Sequence, residues 1–148
     1  MATAFYSFNV GGSGGTVSIN LASLSPLDKP GVLPETVQLG YGVPAGEGCD
    51  VRQAVPTAPA LVSQLTETLT IGTYCASITD AGGLTEPANY SIRVTHAMKH
   101  ISFLCLLLGA LLATACTTSA DSSSANPLAP SGPLATDAFS GTVDVGGR

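Results

Sequence analysis

The sequence predicts an all-β fold, a jelly-roll-like antiparallel β-sandwich of about eight strands. Three observations carry that prediction. Charged residues make up 10% of the 148-residue chain, well below the roughly 25% usual for soluble domains, so the Lys, Glu and Arg that build solvated helices are scarce. Ser, Thr, Gly, Ala and Val take their place, with 17 Gly and 10 Pro to punctuate short segments. Apolar residues then recur at every second position in one segment after another, the period of a half-buried strand.

Taken in order, Thr3–Val10 sets Tyr6, Phe8 and Val10 on one face. A turn at Gly11-Gly-Ser-Gly-Gly15 leads to Val17, Ile19 and Leu21, again at period two. Val37, Leu39, Tyr41 and Val43 repeat the alternation, and Cys49 to Val55 follows. Leu65 to Ile71 carries Thr66, Thr68 and Thr70 on its polar face, and Tyr74, Ala76 and Ile78 form the next segment. Tyr90, Ile92 and Val94 give another strand, and Phe139 to Val145 the last. The Pro-rich stretches Pro26 to Pro34 and Pro56 to Pro59 read as loops.

Between the last two strands lies a segment of another kind. Met98-Lys-His100 is a short basic start, Ile101 to Ala115 an apolar run, and Ala113-Thr-Ala-Cys116 a small-residue cleavage site, the order of a secretory signal peptide. As a helix, the apolar run spans about 22 Å at roughly 1.5 Å per residue, short of the roughly 30 Å hydrocarbon core. Ala113-Thr-Ala-Cys116 resembles a bacterial lipobox, with Ala113 where Leu is usual and Leu112 one position further back. That resemblance implies a diacylglyceryl and palmitoyl anchor on Cys116. The Ser/Pro-rich stretch that follows has the composition of a flexible tether. The alternative for the apolar run is a buried core helix.

A signal peptide opens a precursor, yet this one follows a strand. Phe139–Val145, the Gly146-Gly147 turn and Thr3–Val10 make a natural β-hairpin if the C-terminus is joined to the N-terminus. We therefore expect a circularly permuted order, naturally running from Met98 through Arg148 to Met1 and on to Ala97. The rival account is a gene fusion or a genuine internal apolar segment. The expected organisation is residues 1–97 as the main part of the sandwich, 98–116 as signal peptide, 117–136 as tether and 137–148 as the first strand of the same sandwich.

Cys49 and Cys75 lie in or beside predicted strands, and in an exported protein a disulfide between them stabilises by about 3 kcal/mol. The alternative is two free buried thiols. Cys105 leaves with the signal and Cys116 is acylated. The four cysteines form no C-x-x-C and cluster with neither His96 nor His100, so no zinc site and no other cofactor is expected. A net charge of −5 with five Lys and Arg provides no basic footprint for nucleic acid.

In the restored order, Phe139-Ser-Gly-Thr-Val, Ala4-Phe-Tyr-Ser-Phe-Asn-Val, Gly15-Thr-Val-Ser-Ile-Asn-Leu-Ala-Ser-Leu-Ser, Gly72-Thr-Tyr-Cys-Ala-Ser-Ile-Thr-Asp and Asn89-Tyr-Ser-Ile-Arg-Val-Thr-His resemble the bacterial pre-peptidase C-terminal (PPC-like) domain. The resemblance covers nearly all of the predicted folded part. It implies a jelly-roll-like sandwich without catalysis of its own, appended to secreted enzymes; no enzyme domain accompanies it here. Some members bind collagen or calcium, but no acidic cluster in this chain carries a calcium site over.

Other patterns are weaker. Gly11-Gly-Ser13-Gly-Gly15 fits the G-x-S-x-G of a nucleophile elbow, but it joins two strands, where a hairpin loop is the better reading. Gly40-Tyr-Gly42-Val-Pro-Ala45 imitates a dinucleotide fingerprint with no helix after it. Asp80 before Ala-Gly-Gly83 reads as a turn former. No catalytic residue is expected. The expectation is a non-enzymatic, lipid-anchored envelope protein, held in the outer membrane and facing periplasm or cell surface. Its partner is a protein or carbohydrate; the alternative is a surface-fibre or assembly subunit that pairs strands.

Overall fold

The computed structural model describes residues 3–98 and 134–145. Cys105, Cys116 and the apolar run of the signal-like segment lie outside those residues. Every regular element among the described residues is a strand: β1 (Thr3–Val10), β2 (Gly15–Pro26), β3 (Val37–Ala45), β4 (Gly48–Thr57), β5 (Leu65–Leu69), β6 (Gly72–Thr79), β7 (Ala88–Ala97) and β8 (Leu134–Val143). They form two four-stranded antiparallel sheets, ordered β1-β6-β3-β4 and β5-β2-β7-β8.

Period-two alternation gives each sheet one apolar face, and the two faces meet in a single core. Ala76 and Ile78 of β6 and Val37 and Leu39 of β3 face Val17, Ile19 and Leu21 of β2 and Tyr90, Ile92 and Val94 of β7. In β2 the register against β7 shifts between Leu21 and Ser23. That bulge absorbs one residue, so Leu24 rejoins the buried face instead of pointing to water. Losing one of these side chains, as in Ile92→Ala, costs about 2–5 kcal/mol.

β1 pairs with β6 and β8 with β7, each in an unbroken register. The expected hairpin between β8 and β1 is therefore absent: the two strands belong to different sheets. They meet across the sandwich instead, with the Tyr6 and Phe139 rings stacked at 4.8 Å and the Tyr6 hydroxyl donating to the Ser140 carbonyl at 2.8 Å. Both strands turn aromatic rings inward, and the rings stack across the core between the two sheets. β1 and β8 thus form one flank of the sandwich, and β4 and β5 are the remaining edges.

The pairing has a simple order. With β8 placed first, first pairs with last (β8–β7), second with seventh (β1–β6), third with sixth (β2–β5) and fourth with fifth (β3–β4). This is the nested antiparallel pairing of a jelly roll. In chain order β7 and β8 stand outside the nest, joined through 98–133. The ends also lie together. Gly11 N–H donates to the Ala97 carbonyl, and Ala97 lies opposite Leu134, so β1 ends where β8 begins. Thr3 accordingly lies at the Val143 end.

Some boundaries differ from expectation. β8 begins at Leu134, inside the stretch read as tether, and ends at Val143 rather than Val145. β4 runs through Pro56, which an edge strand tolerates because one side of its ladder is open.

Candidate functional site

Cys49 and Cys75 form the expected disulfide, with their Cα atoms 6.0 Å apart. They sit on β4 and β6, which are separated by β3. The bond therefore passes over a whole strand. Gly42 lies opposite Cys75 on one side and Val51 on the other. A Cβ on Gly42 would overlap the Asp50 carbonyl, and one on Gly40 would lie 2.9 Å from the Gln53 carbonyl and 2.8 Å from Ser77 Oγ. β4 thus folds across the outer face of β3 and buries Cys75 and Ser77 on the side of β6 away from the core. The Gly40-Tyr-Gly42 motif serves this close backbone approach.

The opposite flank holds an ionisable pair that links two strands, with its histidine buried and its aspartate half-exposed. His96 on β7 is 5% exposed and packs its ring 5.7 Å from Phe8. Its Nε2 lies 2.9 Å from Asp137 Oδ2 on β8, and its Nδ1 lies 3.1 Å from the Ala97 carbonyl. The Gly11–Gly15 loop is pinned beside it by the Gly11–Ala97 hydrogen bond. The loop that carries Ser13 is therefore tethered at the end of the molecule that holds His96 and Asp137. Yet both imidazole nitrogens already face oxygen acceptors, which leaves neither to take a proton from Ser13. The geometry is that of a clasp tying β7, β8 and the loop.

A second polar relay crosses the same flank. The Tyr90 hydroxyl donates to the Tyr6 hydroxyl at 2.9 Å, and Tyr6 donates in turn to Ser140. Burial raises the Tyr90 phenol pKa above its ordinary value, and the bond to Tyr6 raises it further. Gly141 leaves the necessary room: a Cβ there would lie 2.6 Å from the Tyr6 hydroxyl and 2.9 Å from that of Tyr90.

Asp80 is fully buried, and its Oδ1 accepts from the Gly82, Gly83 and Leu84 amides, which makes it the turn former the sequence suggests. The outer face of the second sheet is a field of small hydroxyl side chains. Thr66, Ser18, Thr95 and Thr136 lie in one row across all four strands, and Thr95 and Thr136 are hydrogen-bonded at 3.2 Å. Pro26, Leu27, Asp28, Lys29, Glu86 and Pro87 line a shallow open depression, spanned by the exposed Lys29–Glu86 ion pair at 3.1 Å. No group of three or more His, Cys, Asp or Glu suited to a metal occurs among the described residues.

The residues singled out from sequence therefore separate. Cys49 and Cys75 come together, Cys116 lies outside the described residues, and the loop that carries Ser13 is tethered at the end that holds His96, which has no free imidazole nitrogen. Asp137 was missed. The signal available was an acidic residue at an inward position of an otherwise uncharged strand. No family model, no curated protein and no solved structure matches this chain.

Proposed function

We propose that this chain is a non-enzymatic, lipid-anchored protein of the bacterial cell envelope, in which a PPC-like sandwich serves a binding or structural role at the outer membrane. The observation that carries the reading is the uninterrupted order of Lys99-His100, the apolar run to Ala115, Cys116 and a Ser/Pro-rich stretch. A disulfide between Cys49 and Cys75 suits an oxidising compartment. The nested strand pairing supports a natural order that begins at Met98 and keeps Cys116 ahead of every strand.

The test is mass spectrometry of the protein extracted from the bacterial membrane. We expect Cys116 at the mature N-terminus bearing diacylglycerol, together with a peptide joining Gly146-Gly-Arg148 to Met1-Ala2. An unlipidated chain that starts at Ala2 and runs through Cys116 contradicts the reading. A second reading, assembly through strand pairing, is favoured by one specific observation: the long, uncharged outer edge of β8.

A further inference from the structure

We infer that two copies of this chain associate through β8, antiparallel about a two-fold axis at Ala138, so that their second sheets join edge to edge. The inference rests on the strand-pairing reading and names its edge, its register and its partner. It does not depend on the lipid anchor.

An open strand edge pairs with another chain unless something prevents it, and proteins prevent it with short strands, bulges, prolines and charges. Those devices protect two of the other three edges; β1, the third, is as plain as β8 but shorter, with eight residues against ten. β4 carries Pro56, the Asp50–Arg52 ion pair at 3.1 Å and a register shift against β3. β5 is five residues long and carries Glu67. β8 has none of the first three devices. It is ten residues long, pairs with β7 without a bulge, and contains no Pro, Lys, Arg or Glu. Its single charged residue, Asp137, is drawn to His96.

The strand is also complementary to itself. Two-fold pairing about Ala138 sets Leu134 against Thr142, Thr136 against Ser140 and Ala138 against Ala138 of the second copy. These are the exposed positions of β8, and all are small or uncharged. Asp137 falls opposite Phe139, so no like charges meet even though each chain carries a net charge of −5. The Tyr6 hydroxyl occupies one lone pair of the Ser140 carbonyl and leaves the second for an incoming amide. Such an interface uses the same surface of both copies, so it closes as a dimer instead of propagating as a fibre.

The test is sedimentation velocity of the full chain in detergent, using Ala138→Lys and Ala138→Glu variants. We expect a wild-type dimer. Each variant alone opposes two like charges at the axis and weakens association by about tenfold or more. An equimolar mixture of the two opposes Lys to Glu and restores the dimer. Matching circular dichroism spectra verify that both variants fold. A monomeric wild type overturns the inference, as does association that Ala138→Lys leaves intact. In the latter case pairing through another edge or through the 98–116 segment is identified, and the lipid-anchor reading is untouched.

Discussion

The two flanks of the sandwich are finished differently. On one, β4 folds over β3 and is fixed to β6 by the Cys49–Cys75 bond. There the edge of β2 beyond β5 is also covered, because Ala60 and Gln64 amides donate to the Leu21 and Ile19 carbonyls and the Gln64 side chain accepts from Leu21 N–H. On the other flank, β1 and β8 run without a bulge and carry one charge between them, Asp137; their polar groups are spent inward, on the His96–Asp137 clasp and the Tyr90–Tyr6–Ser140 relay. The first flank protects its edges; the second secures its interior, and among the described residues its outer edge is open. Stability and availability for pairing are thus divided between opposite sides of one core.

The largest expected effect falls on the covered flank. Replacing both Cys49 and Cys75 by Ser costs about 3 kcal/mol in urea denaturation, and the same loss appears when the wild type is unfolded with reductant. Glycine substitutions compare the flanks directly. Gly42→Ala forces a Cβ onto the Asp50 backbone and costs about 2–3 kcal/mol. Gly141→Ala meets only the ends of two tyrosine side chains and costs about 1 kcal/mol. Equal losses at the two sites would contradict the picture of a folded-over β4.

A smaller effect is expected at alkaline pH. Tyr90 holds its proton more tightly in the folded state than in the unfolded chain, because burial and the bond to Tyr6 both raise its pKa. Above about pH 10 the unfolded state therefore binds fewer protons, and stability falls as pH rises. Tyr41 adds to the same trend, chiefly through burial. Tyr90→Phe makes the decline between pH 9 and 11 shallower (about two pH units around the free phenol pKa), measured by urea midpoints. The smallest effects on stability belong to the open edges. Gln53→Lys on β4 and Thr136→Lys on β8 each change the denaturation midpoint by less than about 0.5 kcal/mol, yet only Thr136→Lys alters sedimentation.

Much of this arrangement was legible in the residues. Alternation located the strands and their buried faces, because an inward apolar position is a local property of each segment. The cysteine pair and the Asp80 turn were also local or compositional. Strand partners were not legible: Tyr6 and Phe139 both turn inward whether their strands share a sheet or face each other. The start of β8 was hidden for a related reason. Asp137 interrupts the apolar alternation of Leu134–Phe139, and its partner His96 is distant in sequence. Gly40 and Gly42 looked like a nucleotide loop because sequence does not show that a neighbouring backbone crosses above them.

The contrast between the flanks is tested most directly by hydrogen–deuterium exchange of the full chain at two protein concentrations. With β8 as the pairing edge, amides of 134–142 exchange more slowly at the higher concentration, while those of β4 and β5 keep their rates. Unchanged exchange in β8, or equal slowing on both flanks, contradicts the account.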